Sequence, residues 1–148
     1  MEFAITASSG ADNSYLTLVQ EDSIVLDFLA ISVGAIVGAN LRYWMSRYTL
    51  RELGPAFPYG TLTINVLGSF VLGFFLVWTS ERVLVDPRWR LLIAVGFCGG
   101  YTTFSSYAYE TMALFEQGQW ALMGVNFLAN NLLACLAVMA GMALARVL

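Results

Sequence analysis

The stretch Gly99-Gly100-Tyr101-Thr102-Thr103-Phe104-Ser105-Ser106-Tyr107 decides how this chain is read. It places two glycines and four threonine or serine hydroxyls inside Leu91–Leu114, a segment otherwise apolar and long enough to cross a bilayer. Backbone polar groups in hydrocarbon find no water, so an interrupted helix survives there only where the interruption faces protein or a wet cavity. The glycine pair is expected to break the helix, and the break to mark an ion or substrate path.

The rest of the chain agrees with a membrane setting. Of 148 residues, 59% are apolar and 11% charged, against about 25% charged in soluble domains, and the mean hydropathy is +0.71. Four windows, Ile24–Tyr43, Tyr59–Thr79, Leu91–Leu114 and Trp120–Leu144, reach the roughly 20 residues that a spanning helix needs. An all-α integral membrane protein with four transmembrane helices is expected, residues 24–148 forming one domain. Residues 1–23 are acidic and polar, and read as a tail or a short surface helix. Without Lys, Arg or an apolar run they do not read as a signal peptide. Too little chain remains for a soluble catalytic domain, so no enzyme is expected, and no nucleic-acid partner. Cys98 and Cys135 both fall inside spans, where small apolar packing is favoured over an interhelical disulfide. The absence of His, and of any Cys or acidic cluster with ligand spacing, argues against transition-metal chemistry.

Charge says little about orientation. The chain has no Lys; Arg42, Arg47 and Arg51 are expected in the loop after the first span, Arg82, Arg88 and Arg90 in the loop after the second, and Arg146 at the C-terminal end. Four spans put the second three together with Arg146, four in all, on one side and the first three on the other. The positive-inside rule cannot choose between such sides. Two readings stay open: insertion in both orientations with antiparallel pairing, or one orientation set by something other than charge.

Polar residues inside the spans fall on faces. Gly34 and Gly38 form a small-xxx-small pair that permits close helix approach. Arg42 near the end of that span either snorkels to headgroups or concentrates anions at a pore mouth. Thr61, Asn65 and Ser69 recur every four residues and share a helix face. Such a stripe is interhelical glue or the wall of a wet path, and three polar residues in line favour the path. Glu110 is placed well inside the membrane, as a functional carboxylate or as an anchor accepting from a nearby hydroxyl. Asn126 and Asn130 share a face, Asn131 pointing roughly 100° away, and at least two of the three should face the bundle interior or a partner chain. Trp44, Trp78, Trp89 and Trp120 lie near span ends as interfacial anchors.

Three places together resemble the Fluc fluoride channels: Gly34–Tyr43, Gly60–Phe70 and Gly96–Glu110, within a resemblance running from about Asp27 to Leu148. It implies four-helix subunits inserted in both orientations and paired as antiparallel homodimers with two fluoride pathways. It also implies that the broken third helices cross at the dimer centre, where the carbonyls of Gly99 and Thr102 hold a structural sodium ion. The family's pathway aromatics match Phe104 and Tyr107, and its polar track matches Asn65, Thr103, Ser105 and Glu110, with Asn126 and Asn130 at the fourth-span positions and Arg42 in the vestibule. Tyr107 departs from the usual Phe, and Asn126, Asn130 and Ala134 stand where hydroxyl residues are common.

The function implied is passive export of fluoride from the cytoplasm across the cell membrane by a multi-pass protein, protecting against fluoride toxicity. The partner is a second copy or a paralogous subunit. No GxxxxGK[ST] loop argues for a primary pump. The alternative, a small proton-coupled multidrug exporter, needs an acid midway along its first helix, where this chain has only Asp27 near the start. A noncatalytic assembly subunit would not need the aligned polar stripes.

Overall fold

The computed structural model describes residues 11–148; the N-terminal part of the expected tail, 1–10, lies outside them. Among the described residues all regular structure is helical. Helix α1 is Ala11–Leu53 and α2 is Tyr59–Val77, continued by a π-helical turn, Trp78–Arg82. A third element, α3 (residues 87–101), joins α-helical Pro87–Arg90, π-helical Leu91–Cys98 and α-helical Gly99–Tyr101. After a two-residue gap come α4, Phe104–Glu116, and α5, Trp120–Val147.

Local chemistry explains the boundaries. Gly54 takes φ +76° and its N–H closes on the Leu50 carbonyl (3.1 Å), a left-handed end that glycine adopts without strain. Asp86 accepts from the Arg88 N–H (2.8 Å) just before Pro87, pairing an Asx cap with proline in the first turn. Gly118, φ +72°, turns the chain from α4 into α5.

Among the described residues three helices are long and apolar enough to cross a membrane: Ser23–Leu53 within α1, Tyr59–Glu81, and α5. Their large side chains point outward to an extent unusual in a soluble protein, with Phe28 67%, Leu132 58% and Met139 64% exposed. Outward apolar surface on this scale suits lipid. Helix α2 is central, burying Ile64, Phe75 and Val77, and α5 packs along it while α1 packs on α3.

The first helix outruns its expected end. Arg42, Arg47 and Arg51 ride on α1 rather than in a loop, because Leu, Met, Arg and Glu continue a helix until Gly54 ends it. Ion pairs fix which ends lie together: Arg88 to Asp27 (3.6 Å) and Arg146 to Glu81 (3.4 Å) bring the start of α3 to α1 and the end of α5 to the turn after α2. Both cysteines are free thiols, Cys98 buried and Cys135 exposed.

The interruption itself is displaced from the glycines. Gly99 and Gly100 are helical, and the break is Thr102 and Thr103, at φ −76°, ψ 159° and φ −151°, ψ 112°. Most of the nearby glycines serve packing instead. A methyl group on Gly34 would strike the Leu92 carbonyl oxygen, and one on Gly38 the Phe97 carbonyl. One on Gly100 would come within 2.8 Å of the Ala35 carbonyl. Backbone meets backbone along α1 and α3, as the Gly34/Gly38 spacing leads one to expect. Threonines, stiff at χ1 and content in extended backbone, form the gap.

Candidate functional site

Ending α3 after Tyr101 strands backbone groups that a continued helix would pair. In such a helix the Thr103 N–H would bond the Gly99 carbonyl. It donates instead to Asn65 Oδ1 (2.9 Å), and Asn65 Nδ2 donates back to the Thr103 carbonyl (3.2 Å). One side chain on α2 thus satisfies both backbone groups of the residue at the break, as burial demands. Thr103, 7% exposed, in turn caps α4, its Oγ1 accepting from the Ser106 N–H (3.2 Å) and donating to Ser106 Oγ (2.9 Å).

From Asn65 a ladder crosses the interior. The second Asn65 amide hydrogen goes to Asn130 Oδ1 (3.0 Å), Asn130 Nδ2 donates to Asn126 Oδ1 (2.9 Å), and Asn126 Nδ2 to Thr111 Oγ1 (2.8 Å). Thr111 ends the series by donating to the Tyr107 carbonyl (2.7 Å). A backbone N–H fixes one end and a backbone carbonyl the other, so every amide between has a single usable orientation. Asn126 is 0% exposed and Asn130 5%, placing both in the interior as their shared face implies.

Beside the ladder lies a cleft of about 300 Å³ bordered by Asn65, Ser69, Thr103, Phe104, Tyr107, Asn130 and Asn131, among others. Phe104 is 77% exposed and Tyr107 7%, their rings edge to face with centroids 5.5 Å apart. Ser105 is exposed and does not border the cleft; its Oγ lies 3.4 Å from Thr103 Oγ1.

Glu110 occupies a second cleft of about 410 Å³, formed with the end of α1 and the loop before α2. Thr61 Oγ1 donates to Glu110 Oε1 (2.7 Å), and Oε2 is buried without a partner among the described residues. Because Thr61 is in the first turn of α2, this carboxyl stands near one end of the bundle, shallower than the sequence suggests. For Arg42 the sequence leaves two readings open, snorkelling to headgroups and charge at a pore mouth. The residue is half-buried, with Nη1 3.5 Å from the Thr102 carbonyl, so the guanidinium turns inward to the break rather than out to headgroups. Gly99 is exposed and its Cα faces open space.

The structure therefore gathers Asn65, Thr103, Phe104, Tyr107 and Asn130 at one cleft, puts Asn126 behind it and Glu110 at another. Two participants escaped the sequence reading: Thr111, and Asn131 in a role, since its Nδ2 donates to Tyr107 Oη (2.8 Å). The four-residue spacing of Thr103, Tyr107 and Thr111 was the available signal for Thr111.

The profile of the family described as CrcB-like protein, Camphor Resistance (CrcB), matches residues 29–142. The chain belongs to this family. Relatives carrying the name fluoride-specific ion channel FluC are similar over nearly their whole length. The protein of Koribacter versatilis (strain Ellin345) is 60% identical over 122 residues, 82% of this chain and 97% of that one. The protein of Sulfurihydrogenibium sp. (strain YO3AOP1) is 46% identical over 121 residues, covering 82% and 98%. That of Roseiflexus sp. (strain RS-1) is 45% identical over 123 residues, covering 83% and 99%. As a member, this CrcB-like chain carries the clamped break and its cleft inside a matched region that takes in α2 to α4 entire.

Proposed function

We propose that this protein is a fluoride-selective channel of the cell membrane that lets fluoride leave the cytoplasm passively and so limits fluoride toxicity. The single observation that carries the reading is the break at Thr102 and Thr103, clamped by Asn65 and opening beside a polar and aromatic cleft. Interrupted helices at membrane depth suit ion sites. Membership beside relatives named for fluoride supports the choice of anion.

An anion entering the cleft must exchange water for donors and positive partial charge. The N-terminal end of α4 lies at the break and contributes the positive pole of its dipole, and the ring edges of Phe104 and Tyr107 add electropositive rims. Both hydrogens of the Asn65 amide are already given to Thr103 and Asn130. Its part is to hold the gap open and the α4 terminus in place. Thr61 and Glu110 mark the approach from one end, and Arg42 supplies cationic charge beside the Thr102 carbonyl. A negative-inside potential favours anion exit by about 2.3 kcal/mol per elementary charge per 100 mV, so no coupled energy source is required.

The functional unit is an antiparallel homodimer of four-span subunits inserted in both orientations, each third span being α3 with α4. The nearly even division of arginines and the open face at Gly99 support this arrangement. The carbonyls of Gly99 and Thr102 would hold a structural sodium ion between the subunits. The donor types fit, since hard cations take oxygen ligands: the Gly99 carbonyl has lost its helical partner, the Thr103 N–H, to Asn65, while the Thr102 carbonyl, which already accepts from Arg42, would offer its second lone pair. Sodium there would offset the carbonyl dipoles at the crossing. The exporter reading finds less support, because Asp27, the acid of the first span, is paired with Arg88 near one end.

The test is efflux from liposomes holding the purified protein, followed with a fluoride electrode after valinomycin, with chloride recorded in parallel. Rapid fluoride loss with chloride retained is expected. Absence of fluoride flux from folded protein contradicts the reading.

A further inference from the structure

Tyr107 and Asn131 form a pair whose chemistry is directional. Asn131 Nδ2 lies 2.7 Å from the Phe127 carbonyl and 2.8 Å from Tyr107 Oη. The Phe127 carbonyl can only accept, so the shared atom is the amide nitrogen, and Tyr107 Oη accepts from it. An amide nitrogen has two hydrogens, and these two contacts use both. The phenol therefore has a lone pair occupied by Asn131 and its single hydrogen left to give elsewhere.

The other donors bordering the cleft are largely committed. Asn65 gives its two amide hydrogens to Thr103 and Asn130, Asn130 gives both of its own to Asn126, Thr102 Oγ1 donates to the Cys98 carbonyl and Thr103 Oγ1 to Ser106. Among the described residues the hydroxyl hydrogens remaining there belong to Ser69 and Tyr107. Only Tyr107 is steered by a second side chain, and only its ring stands edge to face with Phe104.

We infer that the Tyr107 hydroxyl is a hydrogen-bond donor to the permeating anion and that Asn131 is the residue that positions it. The inference rests on the channel reading. It gives Asn131, which lies about 100° around α5 from Asn130 and borders the same cleft, a function of its own. A phenol donates well to a small, hard, strongly basic halide and poorly to a large diffuse one, so the pair favours fluoride over chloride.

The test combines flux with a spectroscopic reading on the full-length protein in liposomes. Tyr107→Phe keeps the ring and removes the donor. Initial fluoride efflux should fall about tenfold, the size of one hydrogen bond to an ion, with oligomeric state and melting temperature retained. Asn131→Leu should give a smaller loss, and the double variant should be no slower than Tyr107→Phe, because the two residues act through one hydrogen. In wild type, the ring-carbon resonance of isotopically labelled Tyr107 should move when fluoride replaces chloride at constant ionic strength, and in Asn131→Leu it should move less. Wild-type efflux from Tyr107→Phe, strictly additive losses, or a resonance indifferent to fluoride would each overturn the inference. Failure of wild-type protein to pass fluoride would instead sink the channel reading itself.

Discussion

The third element meets its neighbours in two different ways on either side of Thr102. Before the break, residues 91–101 lie backbone to backbone against α1, Gly34 on Gly96, Gly38 on the backbone of Phe97 and Tyr101, and Gly100 on that of Ala35. After it, α4 is tied to α2 and α5 by the amides of Asn65, Asn126 and Asn130 and the hydroxyls of Thr61 and Thr111. One half is positioned by shape and the other by directional bonds. Between them lies the gap at Thr102 and Thr103. A rigid apolar ledge carries α3 to the break, and hydrogen bonds of fixed polarity define what lies beyond it.

Substitutions should separate the two halves. The largest effect is expected from Gly38→Leu, since a side chain there runs into the Phe97 carbonyl and the Tyr101 N–H. Backbone cannot yield as a rotamer can, so a loss of more than about 3 kcal/mol is expected, read as failure to recover monodisperse protein on size exclusion. Asn126→Leu comes next. It takes the Oδ1 acceptor from Asn130 Nδ2 and the amide donor from Thr111 Oγ1 in a buried place, each keeping its other partners, a change worth about 2 kcal/mol of stability, visible as a lowered thermal midpoint and accompanied by at least tenfold slower fluoride efflux. Thr61→Val removes the donor to Glu110 at the outer cleft. Here the fold should persist and efflux should fall severalfold, about the worth of one hydrogen bond; unchanged flux would confine Thr61 to packing. Arg146→Gln sits at the bottom of the scale. Its pair with Glu81 has both side chains about half exposed, so less than about 1 kcal/mol is at stake, and neither melting nor flux should change measurably.

Much of this arrangement was legible in the sequence, for identifiable reasons. Hydropathy over long windows located α1, α2 and α5 because lipid imposes a length and excludes charge. The polar stripe of Thr61, Asn65 and Ser69 and the pair Asn126 and Asn130 were legible because helical spacing puts such residues on one face. The position of the break was not. Glycine permits a break and also permits close packing, and spacing on one helix does not show that α1 presents Gly34 and Gly38 to the same place. The inward turn of Arg42, the shallow seat of Glu110 and the grip of Asn131 on Tyr107 were hidden for a similar reason. Each depends on which residue of a distant helix lies opposite, and so on the packed arrangement of several helices.

The clamp at the break is the centre of this account, and Asn65→Leu tests it most directly. Fluoride and chloride efflux would be recorded from liposomes containing equal amounts of folded wild-type and variant protein. The account predicts fast, fluoride-only efflux from wild type and a loss of about a hundredfold or more in the variant, because two backbone groups of Thr103 and the amide oxygen of Asn130 lose their bonds to Asn65 together. Fluoride efflux from Asn65→Leu at the wild-type rate would show that the gap holds itself open without the clamp, and would contradict it.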